Sequence, residues 1–463
     1  MAKLRGDFIC RAWVVAGATL LVGSVASAQM PAPKADPADF GLAIPSTGLV
    51  RQGEGRRVLL DDNRQPVVAQ VLADVADQRI VILPSGRLRS LPIAETKATE
   101  RAFVGSTRED LVRQLTAKTL PGFKNRKSEH YLFIYNCSDA FQTATRRILE
   151  TMYAPVVENL KRRKFPVVKP QTPLVVIIFA TEEQFQKYHP MPPGVVAYYS
   201  GVSNHVVLFE QSRLADAAPE LAIKQAVATI AHEGIHQILH NIGVQQRLSR
   251  WPMWISEGLP EFYAPTSAAE RWRWKGVGEP NDMRMYELEQ ALKSGSVNLR
   301  ELVQQTVVAP RLSSTGYAVA WALTHYLEKA KHKNFYAYLA EVSKTQPFAE
   351  GALGAPSGLA ADEALFVKHF GGDYQKLANG LLKHLKNQKY ADPILNQTHY
   401  VATFDTSAQR SVSVTTSRVE AQKWQDANLN RVPPTLRARV SFQITPYPNR
   451  GTAEAAAKNW LAR

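Results

Sequence analysis

Cysteine is almost absent from this chain, because its 463 residues contain only Cys10 and Cys137. Cys10 lies in a predicted leader segment, so Cys137 is expected to be the single cysteine of the mature protein. An internal disulfide is then excluded even in an oxidising compartment. Burial of an apolar core must therefore stabilise the fold, and a chain of this length can supply one.

Long apolar runs are also scarce. Beyond the N-terminus no run reaches the roughly 18 apolar residues that a membrane span needs, so no membrane span is predicted. At the N-terminus a basic region precedes the apolar stretch AWVVAGATLLVGSVA, and Ala26-Ser27-Ala28 provides an A-x-A cleavage site. This combination predicts a signal peptide over residues 1–28 and a protein that is secreted, periplasmic or in the cell envelope.

Acidic residues are fewer than basic ones, 41 against 56, which leaves a formal net charge of +15. Such a surplus favours anionic partners such as cell-wall polymers, lipid headgroups or nucleic acid. The basic residues are scattered, however, with only short clusters such as 161–164, and no nucleic-acid-binding motif is present. A solvated basic surface is therefore favoured, and a nucleic-acid partner is not expected.

Composition divides the mature chain into four parts. Residues 29–45 are rich in proline and alanine and predict a disordered linker. Residues 46–98 alternate short β-type runs with turns, which predicts a small SH3-like β-barrel with an interaction or spacer role. Residues 105–392 form the large central part, and residues 398–463 predict a small two-layer α/β module in which a strand and a helix are repeated.

The central part combines strands and helices, which predicts an α+β class. Residues 141–163 have helical spacing of apolar side chains, and 173–180 form a continuous apolar run typical of a buried strand. Two further strands are predicted within 195–209. The segment 219–243 then predicts one long helix that ends at Gly243, and helices are predicted after it.

The segment AHEGIHQ carries the strongest chemical signal. His232 and His236 stand at i and i+4, so on a helix they project from one face and suit one tetrahedral Zn²⁺. Glu233, next to the first of them, suits a general base that does not coordinate the ion. A catalytic zinc needs a third protein ligand, for which Glu257 in WISEG is the natural residue. The pentapeptide alone leaves open an ordinary amphipathic helix with two solvated histidines.

The second segment, WPMWISEGLPEFY, gives the chain its resemblance to a known group. Trp254, Glu257 and Gly258 match the W-x-x-E-G context of the gluzincin metallopeptidases, and twenty residues separate His236 from Glu257. That spacing is similar to thermolysin and to the aminopeptidase N family. The resemblance implies a thermolysin-like catalytic domain, with a small mixed sheet and a helical subdomain. It also implies one Zn²⁺ held by His232, His236 and Glu257, with Glu233 as the base.

The order of segments, which ends in TGYAVAWALTHYL at 315–327, also resembles a bacterial gluzincin-like domain family of unknown function, family 1570. This resemblance runs from about residue 105 to 390, and it implies no activity. The C-terminal part resembles a SPOR-type ferredoxin-like module. Some of these modules bind glycan strands, which implies a cell-wall or envelope polymer as a partner.

Several further residues are candidates for the same site. Tyr317 resembles the tyrosine that donates to the developing oxyanion in several gluzincins, although a packing role suits it equally. Glu261 lies one turn beyond Glu257 on the same helix face and is the next candidate ligand. His240 and His325 are expected to be ordinary helix histidines. Pro260 predicts either that the helix begins near Trp254 or that it is kinked near Glu257.

In gluzincins a peptide pairs with the sheet-edge strand that precedes the metal-binding helix. Segment 195–209 is the candidate here, and the run 203–209 is predicted to lie at the edge. Tyr198 and Tyr199 are expected near the cleft or, as the simpler alternative, in the core.

Together these features favour a secreted zinc-dependent hydrolase, a peptidase that acts on peptide or protein substrates. A non-catalytic zinc-binding or ligand-binding envelope protein on the same scaffold is the alternative, and an envelope interaction protein is the third. Because a structural zinc site needs no base, Glu233 favours the enzyme.

Overall fold

The computed structural model describes most of the chain from residue 37 onward. The described ranges are 37–45, 48–62, 65–211, 219–267, 270, 273–293, 297–348, 358–406 and 410–462. The predicted signal peptide, residues 1–28, lies outside them. The described residues up to Pro393 form one compact unit, and Ile394 onward forms a second.

The first unit begins with an antiparallel sheet. Its strands are β1 (Val50–Gln52), β2 (Arg57–Asp62), β3 (Gln65–Val75), β4 (Gln78–Ile82), β5 (Leu88–Pro92) and β6 (Lys97–Ala98). The order is β5-β4-β3-β2-β6, and β1 also pairs with β3. Alternate side chains of β2 and β3 are buried in an apolar cluster, as the period of a pleated strand requires. The SH3-like assignment of this sheet stays a prediction.

The described part of the predicted linker differs from a disordered segment. Pro37–Phe40 is a 3-10 helix, and Leu42 is fully buried among residues of the N-terminal sheet. Phe40 stacks on the His189 ring at 4.0 Å. The proline-rich composition gave no sign of these two apolar residues, of which Leu42 is buried and Phe40 half-buried, and whose contacts fix the segment.

The second sheet of this unit is mixed. Its strands are β7 (Lys124–Lys127), β8 (Tyr131–Tyr135), β9 (Leu174–Thr181), β10 (Ala197–Ser200) and β11 (His205–Gln211). The order is β10-β11-β9-β8-β7, with β11, β9 and β8 parallel and both outer strands antiparallel. The prediction that the run 203–209 lies at the edge is therefore wrong. Strand β11 pairs on both sides, and β10 is the edge.

Helices cover both faces of this sheet. They are α1 (Arg108–Gln114, continued by a π-helical turn at Leu115–Thr119), α2 (Asp139–Arg162), α3 (Glu182–Tyr188) and α4 (Pro219–Asn241). Helices α2 and α4 pack on one face and α1 and α3 on the other. Ser138 caps α2 by accepting from the Phe141 N–H. Helix α4 ends just before Gly243, whose φ is +83°.

The rest of this unit is helical. It contains α5 (Met253–Tyr263), α6 (Asp282–Lys293), α7 (Leu299–Val308), α8 (Ser314–Ala330), α9 (His332–Val342), α10 (Gly358–Phe370) and α11 (Tyr374–Lys386). Helix α5 begins beside Trp254, as one of the two alternatives predicted, yet Pro260 lies inside it rather than in its first turn.

Among its described residues, the second unit contains one antiparallel sheet, two α-helices and a short 3-10 helix at Pro434–Arg439. The strands are β12 (His399–Asp405), β13 (Arg410–Thr415) and β14 (Ser441–Tyr447), and the helices are α12 (Arg418–Asn430) and α13 (Arg450–Leu461). Strand β12 lies in the centre. Val401 packs against Ala453 and Ala457 of α13, whereas Phe404 meets Trp424 of α12.

Since positions 401 and 404 of one strand face opposite sides, the two helices of this unit cover opposite faces of its sheet. The unit therefore has three layers rather than the predicted two. It also has a strand, β13, that the predicted alternation of one strand and one helix did not include.

The α+β class is confirmed, since small sheets and many helices occur in the same chain. Within the described residues, no helix has the length and apolarity needed to cross a membrane.

Candidate metal centre

Three of the predicted site residues belong to α4, and the packing of this helix fixes them. His232, Glu233 and His236 lie on the part of α4 that packs against the mixed sheet. One turn further on, the Gln237 amide donates to the Val175 and Asn204 carbonyls, at 2.9 Å each. These bonds attach the helix to β9 and to the turn before β11, so its histidine face is held in place.

Glu257 is brought to the same place by α5, which contacts both α4 and α8. Trp254, one turn earlier, is fully buried and donates its indole N–H to the Tyr338 hydroxyl at 3.1 Å. Gly258 faces α8 so closely that an added β carbon would lie 2.6 Å from the Ala320 carbonyl oxygen. The tryptophan and glycine of W-x-x-E-G thus anchor α5 and allow its close approach.

The three predicted ligand side chains converge on one point. His232 Nε2 lies 3.2 Å from Glu257 Oε2 and 3.1 Å from His236 Nε2, and the His236–Glu257 separation is 3.4 Å. A tetrahedral zinc with bonds of about 2.0–2.2 Å has edges of about 3.3–3.6 Å. The three separations lie within about 0.2 Å of these edges, so the triangle of donor atoms is close to the size that zinc needs, and its two nitrogens and one carboxylate oxygen are ligands that zinc accepts.

The other side of His232 is held by carboxylate and guanidinium groups. Its Nδ1 lies 3.2 Å from Glu261 Oε1. Arg284 donates to Glu261 at 2.7 Å and to Glu287 at 2.7 Å, and Asn281 donates to the second Glu261 oxygen at 2.9 Å. Glu261 thus orients the His232 ring, as carboxylates behind metal-binding histidines commonly do.

The electrostatics of the cluster favour a protonated, positively charged His232 beside an ionised Glu257. Burial opposes charge on His232, but the Glu257 and Glu261 carboxylates raise the pKa of this imidazole to about 10. Burial likewise opposes the Glu257 carboxylate, yet His236 and His232 hold its pKa well below the usual range. A cation that binds here must therefore displace a proton from His232, so metal affinity should rise with pH.

Glu233 is buried, but it differs from the three clustered side chains. Its Oε2 accepts the Tyr199 backbone N–H at 2.7 Å, whereas its Oε1 has no hydrogen-bond partner among the described residues. Burial raises the pKa of this carboxyl. One oxygen is thus fixed by the edge strand while the other remains available to accept a proton.

Tyr317 lies in the first turn of α8 and is only 7% exposed. Its ring centre is 6.5 Å from that of His232, and the Arg284 guanidinium stacks over it at 5.3 Å. Burial raises the pKa of its phenol far above the ordinary value, so the hydroxyl keeps its proton. A protonated hydroxyl beside the cluster is able to donate a hydrogen bond.

The remaining candidates lie outside the cluster. His240 Nδ1 is 3.0 Å from the Gln245 carbonyl oxygen, and its ring stacks on Tyr199. His325 contacts His384 at 2.8 Å and the Gly278 carbonyl at 3.1 Å. Among the described residues, the group of side chains able to hold a metal is His232, His236 and Glu257.

The predicted cleft tyrosines have mainly packing roles. Tyr198 is 2% exposed and packs against Phe185 and Phe40. The Tyr199 side chain donates to Asn204 at 2.8 Å, and only its backbone N–H reaches Glu233.

Sequence reasoning missed two features of the site. The first is Arg284, because nothing in NDMRMYELE separates a buried arginine from an exposed one. The second is the Tyr199 backbone contact, which no side-chain pattern reports. Glu261 was signalled by its i+4 spacing from Glu257, although the structure gives it contacts with His232 and Arg284 rather than a place among the three clustered donors.

Comparison with known proteins agrees with the second resemblance that the sequence suggested. The chain matches no protein among those that have been curated. Residues 226–349, which include the three clustered side chains, Glu233 and Tyr317, match the model of a family described as "Protein of unknown function (DUF1570)".

Proposed function

We propose that the central part of the chain, residues 105–392, is a thermolysin-like gluzincin domain that hydrolyses amide bonds of peptides or proteins with one bound zinc ion. The observation that carries this proposal is that the two buried carboxylates, Glu257 and Glu233, occupy different positions in the site. Glu257 lies in the triangle of donor atoms, whereas Glu233 has one oxygen, Oε1, without a hydrogen-bond partner in the described part of the chain. A site that only bound a metal would have no need of this second carboxylate.

Zinc bound by His232, His236 and Glu257 would supply a Lewis acid and lower the pKa of a water molecule to about 7. The residues around it then have separate tasks. Glu233 takes the proton through its free Oε1 and passes it to the leaving amine. Its other oxygen stays on the Tyr199 N–H, which fixes the direction of transfer.

Tyr317, which lies beside His232, would stabilise the negative charge that develops during the reaction. Its protonated hydroxyl donates to the carbonyl oxygen of the scissile bond as negative charge develops there. Glu261, held by Arg284, keeps the His232 ring oriented throughout.

The edge strand supports a peptide as substrate. Tyr199 and Val206 face each other in the β10–β11 pair, and the Tyr199 N–H points away from β11 to Glu233. By the alternation of antiparallel pairs, Ala197 presents its N–H and C=O to the same free side. An extended peptide can pair there beside the base, so N-methylated peptides should be poor substrates.

Export to the periplasm, cell envelope or medium is part of the proposal, on the strength of the N-terminal sequence. The three-layer C-terminal unit is proposed to bind a cell-wall or envelope polymer.

The test compares Glu233→Gln, Glu257→Gln and the control Glu158→Gln, an exposed residue of α2. Zinc content and cleavage of a peptide library are measured on each protein. We expect Glu233→Gln to keep one zinc and to lose about 10²-fold or more of its turnover. Glu257→Gln should lose the zinc, and the control should match the wild type.

Two outcomes contradict the proposal. Loss of zinc in Glu233→Gln with retention in Glu257→Gln refutes the ligand assignment. A wild-type protein that binds zinc but cleaves no peptide in the library favours the non-catalytic binding protein.

A further inference from the structure

Arg247 lies in an unusual position for a partly buried cation. It follows α4 in the chain and donates to the Gly86 carbonyl at 2.6 Å and to the Gly201 carbonyl at 3.4 Å. Within the described residues no carboxylate lies within salt-bridge distance of it, and burial lowers the pKa of its guanidinium. Burying a charged group without a counter-charge costs free energy, so such positions are uncommon. We therefore ask what the Arg247 guanidinium does in the fold.

The two carbonyls belong to different parts of the fold. Gly86 is in the turn between β4 and β5 of the N-terminal sheet, and Gly201 is in the turn between β10 and β11. Arg247 itself follows the helix that carries His232 and His236. One side chain thus joins the N-terminal sheet, the edge-strand hairpin and the chain that leaves the metal-binding helix.

The same hairpin has other contacts with the N-terminal sheet. The Leu88 N–H donates to the Val202 carbonyl at 2.7 Å. Val202 is 4% exposed and shares an apolar cluster with Leu42, Leu88 and other residues of that sheet. The tip of the hairpin is therefore held by backbone, apolar and guanidinium contacts.

The segment before the sheet contacts the hairpin at a different point. The Phe40 ring lies 5.7 Å from the ring of Tyr198 on β10 and stacks on His189. This contact is on the face of β10 opposite to helix α4, because Tyr198 belongs to the apolar cluster of α1 and α3 whereas Tyr199 packs against the cluster of α4. The N-terminal region thus contacts the hairpin at two points, the β10–β11 turn and the Tyr198 side chain of β10.

Strand β10 needs such support. It has four residues and, among the described strands, pairs with β11 alone, and short edge strands open more easily than internal ones. Its Tyr199 N–H nevertheless holds Glu233 at 2.7 Å. A hairpin that moved would release the carboxylate that the reaction needs in a fixed direction.

We propose that the N-terminal sheet is a positioning module for the active site, and that Arg247 is the positioning residue through which it fixes the β10–β11 hairpin and, by the Tyr199 N–H, the orientation of Glu233. This role is an alternative to the interaction or spacer role that the sequence suggested. The effect on catalysis through Glu233 rests on the proposed function, whereas the effect on the stability of the β10–β11 hairpin does not.

The test uses the full chain with Arg247→Met, Arg247→Lys and the control Arg126→Met, an exposed residue of β7. Amide hydrogen exchange is measured at Tyr199 and at residues 201–204, and also in β8 and β9. We expect Arg247→Met to raise exchange about tenfold in the hairpin while β8 and β9 change by less than about twofold. Arg247→Lys should keep part of the protection against exchange, and the control Arg126→Met should exchange as the wild type does.

A second variant, Val202→Ala, loosens the same hairpin without a change of charge and should raise exchange at the same amides. Unchanged exchange at Tyr199 in Arg247→Met and Val202→Ala overturns the inference. An equal rise in β8 and β9 also overturns it, because it would mean general destabilisation.

Activity provides the remaining test. In Arg247→Met we expect kcat to fall with KM and zinc affinity unchanged, because the base and not the metal loses its support. Looser hairpin amides with an unchanged kcat would overturn the link to Glu233. A wild type without peptidase activity would contradict the proposed function alone, and the exchange data would still decide the positioning role.

Discussion

Gly258 occupies the closest approach between α5, which carries Glu257, and α8, which carries Tyr317. A β carbon added at this position would lie 2.6 Å from the Ala320 carbonyl oxygen and still closer to Thr324 Oγ1. Both neighbours are fully buried, so neither can move aside without a shift of α8. We therefore expect Gly258→Ala to push the two helices apart.

The magnitude follows from two opposing effects. Overpacking a core costs about 1–3 kcal/mol, whereas replacing a helical glycine by alanine gains up to about 1 kcal/mol. Because a backbone carbonyl is involved, we expect the upper end of the cost and a net loss of about 2 kcal/mol in the free energy of unfolding. Gly234→Ala is the matched comparison, since its new methyl meets the end of one buried side chain, Leu149, and no backbone carbonyl. With an overpacking cost at the lower end of the same range, about 1 kcal/mol, its cost and its gain in helix propensity should nearly cancel.

Urea unfolding followed by tryptophan fluorescence measures both variants against the wild type. Zinc binding should survive in each, but turnover should fall in Gly258→Ala because Tyr317 moves away from Glu257. A Gly258→Ala protein as stable as Gly234→Ala would refute the close crossing and the account of W-x-x-E-G that depends on it.

Three further predictions concern the groups around the cluster. Arg284→Met leaves the Glu261 and Glu287 carboxylates buried without their cation, so urea unfolding should report a loss of about 3–5 kcal/mol. Glu261→Gln should keep one zinc per chain but weaken its affinity about 10–100-fold in a titration, whereas unchanged affinity would remove Glu261 from the support of His232. Burial, with nearby positive charge, lowers the pKa of His325 to about 3. The unfolded chain binds this proton below about pH 6.5 and the folded protein does not, so stability should fall as the pH drops from 6.5 to 3, by about 1.4 kcal/mol per unit at most. His325→Gln should flatten that slope in acid unfolding, and an unchanged slope would contradict the assignment.

Periodic segments of the sequence predicted their structures well. The apolar run at 173–180 and the long helix that ends before Gly243 correspond to β9 and α4. Their signals are local, because burial on one or both faces leaves a repeat of 2 or 3.6 residues in the chain. The relative position of His232 and His236 was predictable for the same reason, because both lie on one helix at a spacing of four residues.

Contacts between distant segments were harder to predict. The place of β11 inside the sheet depends on β10 and β9 as partners, and a sequence does not state which strands pair. Strand β13 was missed because RSVSVT is too polar to stand out as a strand. The burial of Leu42 and Arg284 likewise depends on surfaces that come together only in the folded chain.

From the arrangement of donor atoms we predict that His232, His236 and Glu257 bind a single zinc ion. Titration of the metal-free protein with zinc, followed by calorimetry, tests it most directly with His236→Ala and His240→Ala as a matched pair one turn apart on α4. We expect one zinc per chain in the wild type and in His240→Ala, and none in His236→Ala. Loss of binding in His240→Ala, or a wild type that takes up no zinc, would contradict it.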